Sequence, residues 1–173
     1  MTIPTLQTDR LILRGPQVSD MDAYAAFFAD PEASAFYGGP MRRDQAYDRL
    51  CQDLGHWQLN GFGRWVITWR DSGEVLGGTG LLYAEGWPRT ELTWWLLPAA
   101  RGNGVATEAS RAVIAWGYET LGWDLVETHM KDANTAARRL VERLGGTRID
   151  RLSFPDGLQR DIWALPNPRE AAA

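Results

Sequence analysis

Between Leu96 and Ala109 an apolar strand stops at Pro98, and the chain re-enters as a helix through two glycines, Gly102 and Gly104. This strand–turn–helix unit leaves the first N–H groups of the helix without intrahelical acceptors, at the positive end of the helix dipole, where an anion is stabilised. Gly102 and Gly104 can take φ above zero and let the backbone approach a ligand oxygen, while Arg101 adds a permanent, forked cation suited to phosphate. Arg101-Gly102-Asn103-Gly104-Val105-Ala106 is therefore a candidate phosphate cradle, with an ordinary strand-to-helix turn as the plain alternative. It lacks the Lys and Ser/Thr of a Walker loop and the third glycine of a dinucleotide fingerprint, which disfavours ATP and NAD.

With 173 residues, 45% of them apolar and 23% charged, the chain reads as one domain, 1–173, that buries a core without disulfides or metals. A formal charge of −4 argues against broad nucleic-acid binding, which relies on cationic side chains. Cys51 is the lone cysteine, and His56 and His129 are not spaced as a metal pair, so no metal site is expected and a reduced, cytoplasmic setting fits. Met1 to Arg10 has no apolar signal core, and no stretch reaches the length of a membrane span.

Periodicity predicts a first strand over Leu6 to Arg14, then a helix capped by Ser19 or Asp20 that buries Met21, Tyr24, Phe27 and Phe28 and stops at Pro31. A second helix over Arg43 to Asn60 presents Tyr47, Leu50, Cys51, Leu54 and Trp57 at helical spacing, with Cys51 read as a small buried hydrophobe. Arg64 to Arg70 and Val75 to Tyr83 form a hairpin around Asp71-Ser72-Gly73, with Trp65, Ile67 and Trp69 on one face. Another strand, Glu91 to Leu97, feeds the cradle and a helix reaching about Leu121. Leu125 to Lys131 is the next strand, and Asn134 caps a helix whose inner face is Ala137, Leu140, Val141 and Leu144. Strands around Arg148 to Phe154 and Gln159 to Leu165 close the chain. The order describes a mixed α/β fold with a largely antiparallel sheet. A right-handed crossover from Glu91–Leu97 to a parallel Leu125–Lys131 puts the cradle at the carboxyl end of a central strand.

This order, with Arg101-Gly102-Asn103-Gly104-Val105-Ala106, resembles the GNAT acyltransferase superfamily, whose signature is Gln or Arg, two residues, Gly, one residue, then Gly or Ala. Thr8-Asp9-Arg10-Leu11-Ile12-Leu13-Arg14, Glu91 to Leu97, Ala106-Thr107-Glu108-Ala109 and Asn134 with Leu140 to Gly145 resemble its RimJ/RimL-like branch, ribosomal-protein N-terminal acetyltransferases and their relatives. The resemblance implies a splayed central strand pair and acetyl-CoA as donor. The pyrophosphate would be held by the amides of Arg101 through Ala106, and the pantetheine arm would lie along Leu96 and Leu97 with Asn134 beside it. Arg138 and Arg139 are within reach of phosphates or else form a solvated helix face. The acceptor is a small amine or a protein N-terminus, and a homodimer is allowed.

Acetyl transfer needs a free amine, yet an alkylammonium with pKa near ~10 is protonated at neutral pH, so a base is required. Glu91, at the start of the strand leading to the cradle, is the expected base, with Glu85 as a loop alternative and Glu108 as a structural carboxylate at a helix start. Where the RimJ/RimL pattern carries Ser this chain has Ala137, and where other branches carry Tyr it has Val141, so the thiolate's usual hydroxyl partner is missing. A CoA-binding module without turnover is therefore the alternative. Of nine tryptophans, Trp94, Trp116 and Trp163 are assigned to the core, whereas Trp87, with Phe36 and Tyr37, either walls the acceptor pocket or packs in the core as well.

Overall fold

The computed structural model describes residues 2–169. The chain opens with β1 (Leu6–Gln7) and β2 (Leu11–Arg14), followed by α1 (Met21–Ala29) and α2 (Arg43–Asn60). Strands β3 (Arg64–Trp69), β4 (Val75–Leu82) and β5 (Glu91–Leu96) lead into α3 (Val105–Glu119). After β6 (Val126–His129) come α4 (Thr135–Arg143), β7 (Thr147–Ser153) and β8 (Gln159–Leu165).

The predicted first strand is broken into a hairpin, with Leu6 opposite Leu13 and Gln7 opposite Ile12. Thr8 causes the break, because its hydroxyl accepts from the Leu11 N–H at 3.0 Å and closes a turn over Asp9 and Arg10. Asp20 stands at the start of α1 but does not cap it. Its carboxylate accepts from the Gln17 N–H at 2.8 Å and from both Arg14 terminal nitrogens at 2.8 and 2.7 Å, closing a short 3-10 turn over Val18–Asp20.

Helix α2 has the expected limits but a different inner face: Ala46, Leu50, Asp53 and Trp57 are buried, while Tyr47, Cys51 and Leu54 face outward. Asp53 turns that face inward, accepting from the Tyr24 hydroxyl at 2.7 Å and from Arg64 at 2.9 Å. A buried carboxylate is tolerated only when so paired.

The strands form two antiparallel sheets, one ordered β1-β2-β3-β4-β5 and the other β6-β8-β7. Trp65 and Val66, adjacent on β3, are both fully buried, so helices cover both faces of the larger sheet, where alternation predicted one. On one face α3 and α4 pack Val105, Val113 and Leu140 against Leu11, Trp65 and Ile67. On the other, Tyr24 and Phe27 of α1 meet Trp95, each with ring centroids 4.9 Å from it. Gly78 admits that indole, since a β-carbon there would lie 2.5 Å from Trp95 Nε1.

The expected parallel pairing of β5 with the following strand does not form a ladder: β5 ends one sheet and β6 begins the other. Contact between them runs through the Thr128 hydroxyl, which donates to the Leu92 carbonyl at 2.8 Å.

Candidate active site

The turn after β5 exposes a row of amides. Among the described residues, the N–H groups of Gly102 through Thr107 find no protein acceptor, and the first to do so is Glu108, which donates to Gly104 O at 3.0 Å. Gly102 and Gly104 have φ of +79° and +75°, so both turn the backbone through a region that favours glycine. Glu108 in the first turn of α3 fixes the cradle to the β1–β2 hairpin. It accepts from the Thr8 hydroxyl at 2.6 Å, the Arg10 N–H at 3.0 Å and Arg10 Nε at 2.7 Å. These donors hold its carboxyl below the usual range against the opposing effect of burial. The cradle faces a cleft of about 1320 Å³ that is also lined by Arg10, Arg111, Asn134 and Arg143.

Leu97 N–H donates to Leu76 O on β4 at 2.9 Å, so the backbone groups of Leu92, Trp94 and Leu96 point to the opposite edge, toward the split. There the Leu92 carbonyl accepts from Thr128 and the Trp94 carbonyl from the Tyr37 hydroxyl. The peptide groups beyond, at Leu96, border the cleft. Asn134 caps α4, its Oδ1 accepting from Ala137 N–H at 3.1 Å, which leaves its Nδ2 without a protein partner among the described residues.

A second cavity of about 510 Å³ opens along the first half of β5, with Glu91 in its wall. Phe36, Tyr37, Trp94, Asn134 and Ala137 border both cavities, so the two meet at the split. Burial pushes the Glu91 carboxyl up to about 7, with Arg64 and Arg160 pulling the other way. His129 Nε2 lies 3.3 Å from Glu91 Oε2 without hydrogen-bond geometry. Burial, with help from Arg160, pushes His129 down to about 4, so the ring is neutral at physiological pH. Its ring packs against Phe154 at 4.4 Å and Trp87 at 5.5 Å between centroids. Arg160 covers Phe154 and Trp87 at 4.5 and 5.2 Å and is held by Asp156 through two hydrogen bonds of 2.9 and 2.5 Å. An amide-lined cradle, a split strand pair and a carboxyl poised near neutrality thus share one seam.

A model of the acetyltransferase (GNAT) domain matches residues 10–147. The chain belongs to the GNAT acetyltransferase family. It is 29% identical to the uncharacterized N-acetyltransferase YoaA of Bacillus subtilis (strain 168), over 96% of this chain and 99% of that protein. The fold superposes on the acetyltransferase from Agrobacterium tumefaciens str. C58 with a TM-score of 0.86 at 31% identity, covering 96% of both chains. RimL, a ribosomal L7/L12 alpha-N-protein acetyltransferase, shares the fold at a TM-score of 0.77 and 13% identity, with 95% of this chain and 94% of that one covered.

Within this GNAT fold the sequence-expected residues do not all gather at one place. Leu96, Arg101, Gly102, Gly104, Val105, Ala106 and Asn134 line the cleft; Glu91 and Trp87 line the second cavity; Phe36 and Tyr37 border both. Asn103 folds its side chain back on Arg101 O at 3.3 Å, and Leu97 packs beside the α1–α2 core, so neither side chain lines the cleft. Arg138 also lies outside the cleft lining, with its Nε buried and unpartnered, while Arg143, at the end of the same helix, lines it. Glu85 is exposed and borders neither cavity. Trp94, expected in the core, is half-buried at the seam, whereas Trp116 is buried and Trp163 partly so. His129, Phe154 and Arg160 were not anticipated. An aromatic or histidine in a strand advertises only burial, and their convergence depends on β8 pairing between β6 and β7. No helix among the described residues is long and apolar enough to cross a membrane.

Proposed function

We propose that this GNAT acetyltransferase moves an acetyl group from acetyl-CoA to a primary amine, a small amine or a protein N-terminus, by direct attack in a ternary complex. The observation that carries this reading is the meeting of the cradle cleft and the Glu91 cavity at Phe36, Tyr37, Trp94, Asn134 and Ala137. Bound acetyl-CoA supplies a thioester carbonyl for the amine to attack and a thiolate to leave. The unpartnered amides of Gly102 to Thr107 fit a diphosphate, and the open edge of β5 at Leu96 fits an extended, amide-bearing arm, with Asn134 Nδ2 alongside. Glu91 takes the ammonium proton, directly or through a water, and its carboxyl near 7 is half-ionised at neutral pH, a balance that suits a base. Tyr37 serves as scaffold, since its hydroxyl is committed to the Trp94 carbonyl and burial pushes it up to about 12.

Ala137 supports a second reading. It sits at the seam without a hydroxyl to offer the leaving thiolate, as a CoA-binding module lacking turnover would. A thiol near pKa ~8.5 leaves tolerably as thiolate, so water suffices and the enzyme reading stands ahead. Thiol release from acetyl-CoA over a panel of amines and amino-terminal peptides decides between them: turnover with any acceptor supports transfer, and saturable CoA binding with no release from any acceptor supports the module.

A further inference from the structure

The acceptor cavity carries an imbalance of charge. Arg49, Arg64, Lys131 and Arg160 line it, against the carboxylates Asp53, Glu91 and Asp156. Two of those carboxylates are already engaged, Asp53 by Arg64 and the Tyr24 hydroxyl, and Asp156 by Arg160. Arg64 still keeps its Nε buried and unpartnered. Arg49 has only the Gln52 side-chain oxygen, at 3.3 Å, while Lys131 makes no direct ion pair among the described residues and acts at longer range on Asp156, which Arg160 already holds. Glu91 is the remaining negative charge, and in the proposed reaction the proton it accepts removes that charge. Arg64 and Arg160 are the cations that act on Glu91, so the four lining cations exceed the three carboxylates by one, and by two once Glu91 is protonated, and Arg49 is the lining cation that no carboxylate holds among the described residues.

In a cavity of about 510 Å³ walled by Phe28, Phe36 and Trp87, unmatched cations are less well solvated than at an open surface. A second ammonium on the acceptor would add to the excess, whereas an anionic group would cancel it. The volume is that of a small-molecule site. Resting on the acetyl-transfer reading above, we propose that the acceptor is a small amine that also bears a carboxylate, of the amino-acid class, with its amine at Glu91 and its carboxylate on Arg49 or Lys131. The aromatic wall then receives an apolar side chain.

The test compares apolar L-amino acids with their own carboxamides as acceptors at saturating acetyl-CoA, each rate corrected for the fraction of free amine. Charge-assisted hydrogen bonds predict about a tenfold to hundredfold preference in kcat/KM for the acid. That ratio falls toward one in the Arg49→Met, Lys131→Met double variant. A wild-type ratio of one or less, or a ratio the double variant leaves unmoved, overturns the proposal, as does a peptide acceptor that outpaces every free amino acid. Should no acceptor turn over, tryptophan fluorescence of the CoA-saturated protein, titrated with the N-acetyl acid and its amide, gives the same comparison. Tighter binding of the acid there upholds the carboxylate site while removing the transfer reading, and equal binding removes the carboxylate site.

Discussion

Glu91 is costly where it lies. Its carboxyl titrates at about 7 because burial disfavours the charged form, while an unfolded chain would ionise it near the ordinary 4.5. Between those values the folded protein holds a proton that the unfolded one has lost, so this residue's contribution to stability declines as pH rises and is gone above about 7. In the proposed reaction activity runs the opposite way, because the base must be ionised, and kcat/KM should climb with pH through about 7. Glu91→Gln should remove that limb and lower kcat by roughly a hundredfold or more, as loss of a general base does. The same variant should unfold at higher urea than wild type at about pH 8, by on the order of 1–3 kcal/mol. A flat wild-type profile, or a Gln variant that keeps the wild-type rate, would remove Glu91 as the base. The sequence shows this residue because it starts the strand that ends at the cradle; its environment is hidden there, because His129 and Arg160 arrive from β6 and β8, distant in the chain.

Elements owe their limits to local chemistry and their faces to partners far away. The limits of α2 follow from its periodicity and from Gly61, but its inner face does not, because the inward turn of Asp53 depends on Arg64 and Tyr24. The start of α3 shows the same division: Gly104 at φ +75° is legible as a glycine requirement, whereas the clamp from Glu108 to Thr8 and Arg10 joins residues about a hundred positions apart. Gly104→Ala should cost about 1–2 kcal/mol of stability from backbone strain and weaken CoA binding by calorimetry, since the amides it aims are displaced. Glu108→Ala should lower the urea midpoint and raise the KM for acetyl-CoA, with a loss of about 1–2 kcal/mol given partial exposure. The Glu108 carboxyl is held below its ordinary value, so its contribution is present above that value and disappears as pH falls through the depressed one. The gap between wild type and variant should therefore close in acid; a gap independent of pH would show that the clamp does not act through its charge.

At the scale of the molecule, the decisive feature is a sheet that fails to continue. Strand periodicity reveals where strands run and which faces are apolar, yet it is silent on which edges pair, and the split between β5 and β6 was expected only through the family resemblance. The structure supplies a physical reason. The Leu92 carbonyl, at the closed end of the split, is served by the Thr128 hydroxyl at 2.8 Å, and the Trp94 carbonyl by Tyr37, so the carbonyls of the β5 edge are taken up by side chains until Leu96, where the edge opens on the cleft. Thr128 is 1% exposed, and removing its hydroxyl would strand a buried carbonyl, which costs about 1–3 kcal/mol. Thr128→Val keeps shape and loses the donor; Thr128→Ser keeps the donor and loses a methyl. If the hydroxyl holds the closed end of the split, Val should be the less stable of the two and should weaken CoA binding, while Ser retains CoA affinity. Equal CoA affinity in both would mean that the opening between the sheets is set by the packing of α3 and α4, not by this bond.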